Sequence, residues 1–191
     1  PKLEQIISNH TKLRISKMER LLDKLMNPEC SRIWILNRKY CPHKAMLDGE
    51  ATVVYSYDPV GTETPFSLDT ISNIQNYNYK TYLQSYKEER KELLDYDAPE
   101  QRIIAVWNFY KNVTKGDIML FVHGNEVEGY YVITADNVDI TQGEDFCAHS
   151  WKAERVKFDK PLCIESRFGS PYFKLIGDFK KEVIAALKKS I

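Results

Sequence analysis

The sequence predicts an α+β domain in which a small mixed or barrel-like β-sheet is flanked by helices. Two patterns indicate this class. Short apolar runs rich in β-branched and aromatic residues, typical of strands, recur along the chain, and apolar residues at helical spacing occupy both ends. With 191 residues, 43% of them hydrophobic, the chain can bury one ordinary core. We therefore expect a single domain with helical additions.

The elements follow from these patterns in chain order. Residues 3–26 predict an amphipathic helix ending at Asn27-Pro28, and the polar residues 9–11 leave open a break within it. Further helices are expected over 68–94 and around 182–187, a short helix or turn between Trp107 and Ile118, and a polar loop over 136–150. The predicted strands cover residues 32–37, 51–57, 103–107, 118–122, 129–134 and 155–158.

Charge and composition limit the functional classes. The formal net charge is zero, from 27 basic and 27 acidic residues, so the whole chain lacks the basic signature of many nucleic-acid-binding proteins. Residues 151–191 are locally basic, which leaves room for a basic face. No run approaches the roughly 20 apolar residues of a membrane span, and the four cysteines are too scattered for a disulfide framework. We expect a cytoplasmic protein without membrane contact, and a biological chain that is longer.

Common catalytic signatures are missing from the sequence. It contains no phosphate-binding loop, dinucleotide fingerprint, nucleophile elbow or zinc-protease helix, so we expect a domain that is not an enzyme and needs no cofactor. Cys41-Pro-His43 and Cys147-Ala-His149 could together supply four zinc ligands. Their spacing is not that of a common zinc module, and we expect no metal.

Aromatic residues provide the strongest functional indication. Trp107 ends an apolar run just before the turn Lys115-Gly116-Asp117, and its indole is expected to project into a groove beside the sheet. The alternative is a core tryptophan that caps the sheet. A second aromatic pattern, Tyr79, Tyr82 and Tyr86, lies on one helical face. Such a stripe more often packs a helix onto its sheet than stacks on bases.

Three segments, in order, resemble the YTH domain, a reader of modified adenine in the PUA-like superfamily, whose relatives include the EVE domain. They are RIWILNRK at 32–39, IIAVWN at 103–108 and ESRFGSPYF at 165–173. The resemblance implies a PUA-like domain over 31–191 with a helical insertion at about 68–100, preceded by an extra helix over 1–30. These additions resemble the N-terminal specificity domains of prokaryotic McrB-type, modification-dependent restriction proteins.

The resemblance also implies a site and a function. Trp107 would form one wall of an aromatic cage, and Asn37 or Asn108 would bond the adenine edge. The Ser166-Arg167 turn would meet backbone phosphate. The expected function is binding of N6-methyladenine DNA by base flipping, as the specificity domain of a restriction system. The other cage and phosphate candidates are Trp34, Phe146, Trp151, Arg38, Lys39 and Lys152.

The partners implied by this family are methylated DNA, an AAA+ GTPase motor in the same chain and a nuclease subunit. Three alternatives remain open from the sequence. The domain could read methylated adenosine in RNA or a modified cytosine, since an aromatic cage does not distinguish ribose from deoxyribose. It could be a small nucleic-acid enzyme. It could be a protein-interaction domain that uses the tyrosine stripe and the N-terminal helix.

Overall fold

The computed structural model describes residues 2–29, 32–37, 49–58, 76, 78–89, 107–142, 147–168 and 178–191. Three α-helices and six strands lie in these ranges, together with one π-helical turn at Asn108–Asn112. The helices are α1 (Lys2–Met26), α2 (Tyr79–Glu89) and α3 (Asp178–Ser190). The strands are β1 (Ile33–Asn37), β2 (Gly49–Asp58), β3 (Ile118–His123), β4 (Glu126–Ile133), β5 (Asp139–Gln142) and β6 (Cys147–Cys163).

All six strands belong to one mixed sheet. Its order is β1-β3-β4-β6-β2, and β5 pairs with β6 beside this path. Only β1 and β3 run parallel among the described pairs, from Ile33 opposite Ile118 to Asn37 opposite Val122. Helices flank this mixed sheet, so the predicted α+β class is confirmed.

The longest strand, β6, pairs with three other strands of the sheet. Its second part pairs with β4, from Ala153 to Cys163, while its first part lies between β2 and β5. The sequence analysis was wrong to expect a polar loop over 136–150, because β5 and the start of β6 form there. Backbone pairing on both edges of β6 stabilises this segment, although its side chains carry no apolar alternation.

Both faces of the sheet are covered. Successive residues of a strand point to opposite faces, and in β1 the residues Ile33 and Ile35 join one core cluster while Trp34 and Leu36 join the other. The first cluster is closed by α1 and α3, the second by α2 and the π-helical turn. Both faces are buried at β3, and this strand is apolar over the run IMLFV.

A buried carboxylate fixes the start of both parallel strands. Asp117 is 1% exposed, and its side chain accepts hydrogen bonds from the backbone N–H of Arg32 at 3.2 Å and the indole Nε1 of Trp34 at 2.9 Å. It also accepts from the backbone N–H of Thr114 at 2.9 Å and from the Thr114 hydroxyl at 3.3 Å. The Lys115-Gly116-Asp117 segment is a turn, as expected, but its aspartate joins β1 to β3.

The N-terminal helix is confirmed, and the strand expected to end at Trp107 needs correction. The helix over residues 3–26 is α1, which runs without a break, and the Thr11 hydroxyl donates to the Ile7 carbonyl at 2.9 Å inside the helix. Trp107 is not the last residue of a strand, because its backbone is α-helical (φ −58°, ψ −48°) and begins the π-helical turn. Residues 103–106 lie outside the described ranges, as does most of the helix expected over 68–94.

Replacing Asp117 should destabilise the fold. Asp117→Ala leaves the buried Trp34 indole N–H without an acceptor, and the expected loss of unfolding free energy is about 2 to 4 kcal/mol. Urea denaturation of wild type, Asp117→Ala, Trp34→Phe and the double variant measures it. The double variant should lose less than the sum of the single losses, since both remove the same bond. Strictly additive losses would contradict the role of this hydrogen bond.

Tyr130 is a buried acid on the face covered by α1 and α3. Burial raises the pKa of Tyr130 to about 12, with Arg20 lowering it and Glu154 raising it. Within the described part of the chain, its hydroxyl has no hydrogen-bond partner. The folded protein therefore holds the Tyr130 proton more tightly than the unfolded chain does.

This raised pKa predicts a loss of stability at high pH. Between about pH 10 and 12 the unfolded chain releases the Tyr130 proton while the folded protein keeps it, so unfolding free energy falls as pH rises. Relative to Tyr130→Phe, wild type should lose about 2 to 3 kcal/mol over this window and show no such change below pH 9. Denaturation of both proteins across this range checks it, and parallel pH profiles would refute the shift.

Candidate functional site

The indole of Trp107 is only half-buried and stands against two tyrosines of α2. Its ring centroid lies 4.9 Å from that of Tyr82, with the planes inclined at 45°, and 5.6 Å from that of Tyr79, in an edge contact at 72°. Tyr82 is fully buried, whereas Tyr79 is 42% exposed. Tyr82 thus packs α2 onto the core, as the packing interpretation predicted, and Tyr79 extends the Trp107 surface outward.

A cation lies next to this aromatic surface. The Lys111 Nζ is 5.6 Å from the centroid of the Trp107 ring, within the range of a cation–π contact. The helical turn creates this pair, because residues four positions apart lie next to each other on a helix surface. Phe109 and Tyr110, between them in sequence, point into the core instead.

The same turn pairs two amides. The Asn112 Nδ2 donates to the Asn108 Oδ1 at 2.7 Å. Among the described residues this is the only hydrogen bond of the Asn112 side chain. Both residues are half-buried, like Trp107 and Lys111. The outer side of the turn therefore carries an aromatic ring, a cation and two amides, and these four residues with Tyr79 are termed the indole surface.

Two of the predicted cage residues lie in the core instead. Trp151 is 2% exposed, and its Nε1 donates to the Phe109 carbonyl at 2.9 Å. Trp34 is 3% exposed and bonded to Asp117. Because both rings are buried, neither has a face open to a base, and both have a structural role. Trp151 anchors the π-helical turn and thereby positions Trp107.

The predicted phosphate contacts lie apart from the indole surface. The backbone N–H and the hydroxyl of Ser166 both donate to the Glu182 carboxylate, at 3.1 and 2.7 Å, which ties this turn to α3. Arg167 is exposed and follows directly, beside the β3–β4 turn, where the Phe168 N–H donates to the Gly124 carbonyl. This turn is at the far end of β3 from Asp117, a separation of about 23 Å along the strand.

Another predicted phosphate contact, Lys152, also lies away from the indole surface. Lys152 is exposed and adjacent to Trp151 in β6, so it lies on the opposite face of the sheet. Asn37 ends β1, but its side chain is outside the described set, as are residues Arg38, Lys39 and Phe146 entirely. Of the predicted site residues, the structure thus brings together Trp107 and Asn108.

Three members of the indole surface were not selected from the sequence as site residues. Tyr79 was assigned to packing, and Lys111 and Asn112 were not considered as ligand contacts. Their proximity to Trp107 and Asn108 depends on the π-helical turn, in which Val113 N–H donates to the Asn108 carbonyl at 2.9 Å. The sequence predicts a short helix or turn after Trp107, but not which side chains this turn brings together. No sequence signal identifies a π-helical turn in advance.

Outside the indole surface the described residues offer little that points to other chemistry. No group of three or more His, Cys, Asp or Glu side chains among them is arranged to hold a metal ion. None of the described helices is both long enough and apolar enough to cross a membrane. No protein-family model, curated protein or solved structure matches the chain.

Proposed function

We propose that this domain binds nucleic acid by stacking a flipped or unpaired base on the indole surface. The proposed ligand is N6-methyladenine in DNA, and the proposed role is that of specificity domain in a modification-dependent restriction system. The observation that carries the proposal is the half-exposed Trp107 ring, fixed from behind by buried Tyr82 and bordered by exposed Tyr79. An AAA+ motor and a nuclease subunit would act on the DNA so recognised.

Stacking on a fixed indole supplies binding energy at little conformational cost. Base–aromatic stacking contributes about 1 to 3 kcal/mol per base. Tyr82 already restrains the Trp107 ring, so binding does not have to order it. The edge of Tyr79 stands beside the ring and would enclose one side of a stacked base. Flipping a base from a duplex costs a few kcal/mol, which backbone contacts must offset.

Selectivity for the methyl group would come from apolar fit. N6-methyladenine is neutral, so a cation–π interaction between ligand and ring does not apply. One methyl group in a close pocket is worth about 1 to 3 kcal/mol, or roughly 10- to 200-fold in affinity. The Tyr79 ring, held at an angle of 72° to the indole, is proposed as the apolar wall that such a methyl would contact.

Lys111 and Asn112 are proposed to make two different polar contacts with the nucleotide. The Lys111 ammonium lies over the indole, so a base that stacks there would displace it, and the displaced charge is proposed to contact the phosphate of the nucleotide. Asn112 has an amide that offers both a donor and an acceptor, the pair needed to bond an adenine edge. Its hydrogen bond to Asn108 would hold that amide in place. Asn112 is therefore proposed as the base-edge contact, supported by Asn108.

Trp107→Ala should weaken base binding. Fluorescence anisotropy at fixed salt compares wild type, Trp107→Ala and Trp107→Phe on matched duplexes carrying adenine, N6-methyladenine or 5-methylcytosine, with RNA as a further ligand. We expect wild type to prefer methyladenine DNA, and Trp107→Ala to lose at least about fivefold in affinity, the lower end of the stacking contribution of one base. Trp107→Phe keeps a smaller ring and should retain part of the affinity.

The outcomes of this experiment separate the alternatives. Preference for methylated RNA or for 5-methylcytosine would keep the stacking site and replace the ligand. Binding that is unchanged in Trp107→Ala would refute the indole surface as the site. Equal and weak binding to every ligand would refute the reader function.

Asn112→Ala and Lys111→Ala should change nucleic-acid binding in different ways. Asn112→Ala should reduce the preference among bases, because it removes the edge contact, while leaving the salt dependence of binding unchanged. Lys111→Ala should weaken binding to every base alike and lower the salt slope by about one, the signature of one lost phosphate contact.

Lys115→Ala is the matched control, since Lys115 is an exposed lysine in the turn that follows. Its affinity and salt slope should stay at wild-type values. An equal loss in Lys111→Ala and Lys115→Ala would indicate only a general charge effect. An Asn112→Ala protein with unchanged base preference would remove Asn112 from the site.

A further inference from the structure

One carbonyl of the π-helical turn is bonded from outside the turn. The Val113 N–H donates to the Asn108 carbonyl at 2.9 Å, the bond to the fifth residue back that is typical of a π-helix. The carbonyl of the next residue, Phe109, accepts from the Trp151 Nε1 at 2.9 Å. Trp151 lies in β6, far along the chain, so a strand of the sheet supplies this donor to the turn.

The same Val113 N–H can also close an α-helical turn. In an α-helix each N–H donates to the carbonyl four residues back, so Val113 would donate to Phe109 instead of Asn108. These two arrangements are termed the α register and the π register. π-Helical bonding is rare and α-helical bonding is the usual one in a helical segment. Contacts from outside the turn can therefore decide which register forms.

The Trp151 hydrogen bond is such a contact. Phe109 is 0% and Trp151 2% exposed, so the bonded carbonyl and indole lie in the core, where a polar group without a partner is costly. The indole N–H bonds the Phe109 carbonyl while the Val113 N–H is engaged with Asn108. If the indole N–H were removed, the carbonyl would lose this donor, and accepting the Val113 N–H would replace it. The Trp151 bond therefore favours the π register.

The register of the turn affects the orientation of Trp107. The downstream end is fixed, because Val113 is buried and the Thr114 N–H donates to the Asp117 carboxylate at 2.9 Å. An α-helical turn contains fewer residues than a π-helical turn, so a change of register rotates the upstream residues about the helix axis. Trp107 is at the upstream end, 4.9 Å from the Tyr82 ring. The α register would turn the indole away from Tyr82.

We propose that Trp151 selects the π register through its bond to the Phe109 carbonyl and is thereby a positioning residue for the indole surface. Trp151 is buried, so it does not touch a ligand and acts only through the turn. The effect on base binding rests on the function proposed above. The selection of the register does not, and it is tested separately.

Removing the indole N–H tests the register. NMR couplings across hydrogen bonds identify the carbonyl to which the Val113 N–H is bonded. Wild type should show the coupling to Asn108. In Trp151→Phe, which keeps an aromatic ring but has no N–H, the coupling should move to Phe109. A Val113 N–H that stays bonded to Asn108 in this variant would overturn the proposal.

The contact between Trp107 and Tyr82 reports the orientation of the indole. Nuclear Overhauser effects between the two rings should be present in wild type and lost in Trp151→Phe. Effects that persist unchanged after the register has moved would overturn the positioning role of Trp151.

A closer analogue of tryptophan covers the case in which Trp151→Phe does not fold. Benzothienylalanine at position 151 keeps the shape of the indole and has a sulfur atom in place of the N–H. It should move the register and the ring contact as Trp151→Phe does. Unchanged couplings and ring contacts in the analogue would overturn the proposal as well.

Phe158→Leu is the control for general destabilisation. Phe158 is 2% exposed and belongs to the core cluster on the opposite face of the sheet, so the variant weakens the core without touching the turn. Its Val113 N–H should remain bonded to Asn108. A change of register in this variant too would show that the turn responds to any loss of stability, which would overturn the specific role of Trp151.

Binding to a duplex with N6-methyladenine, measured by anisotropy, tests the effect on the indole surface. Trp151→Phe should weaken binding by at least about fivefold, as Trp107→Ala does. Added to Trp107→Ala, it should cause no further loss, because both changes act through the same ring. Fully additive losses, or wild-type affinity in Trp151→Phe, would overturn the positioning role.

The two proposals fail in distinguishable ways. Wild type that binds no nucleic acid would refute the proposed function, and the couplings of the Val113 N–H would still decide whether Trp151 selects the register. Wild type that binds, together with a Trp151→Phe protein that changes register without losing affinity, would leave the proposed function intact and refute the positioning role.

Discussion

The hydrogen bonds to the Asp117 carboxylate are the constraint on which the rest of the structure depends. A buried carboxylate is costly unless its oxygens are bonded, and here donors from the start of β1, from the Trp34 indole and from Thr114 satisfy it. These donors lie at, or shortly before, the start of each of the two parallel strands. The carboxylate therefore sets the register of β1 against β3, and it fixes the point at which the chain leaves the π-helical turn.

Residues of the core beneath the indole surface hold that surface in place. The Trp151 Nε1 donates to the Phe109 carbonyl, and Tyr82 packs against the Trp107 ring. The Thr114 N–H, just after the turn, donates to the Asp117 carboxylate. The three tryptophans thus have separate tasks. Trp34 and Trp151 use their N–H groups to join parts of the core, and Trp107 alone among them is half-exposed.

The sequence predicts the parts of the fold whose pattern reflects burial. β3 lies inside the sheet with both faces covered, so its apolar run alone identifies it, and the periodicity of α3 does the same. β5 and the start of β6 carry no such pattern because backbone pairing forms them. At the site, Trp107 could be selected for its position in an apolar run. Lys111 and Asn112 could not, since the pattern predicts only a short helix or turn after Trp107 and not the side-chain contacts that this turn makes.

The parallel pairing of β1 with β3 has a kinetic consequence. The Trp34–Asp117 hydrogen bond joins residues 83 positions apart, whereas β3 and β4 are joined by a tight turn of two residues, Gly124 and Asn125. Closing the long loop costs more chain entropy and gives a slower search than forming the hairpin. The β3–β4 hairpin can therefore assemble first, and β1 docks onto it as a late step of folding. A newly made chain exposes the β1 edge of β3 until that step is complete.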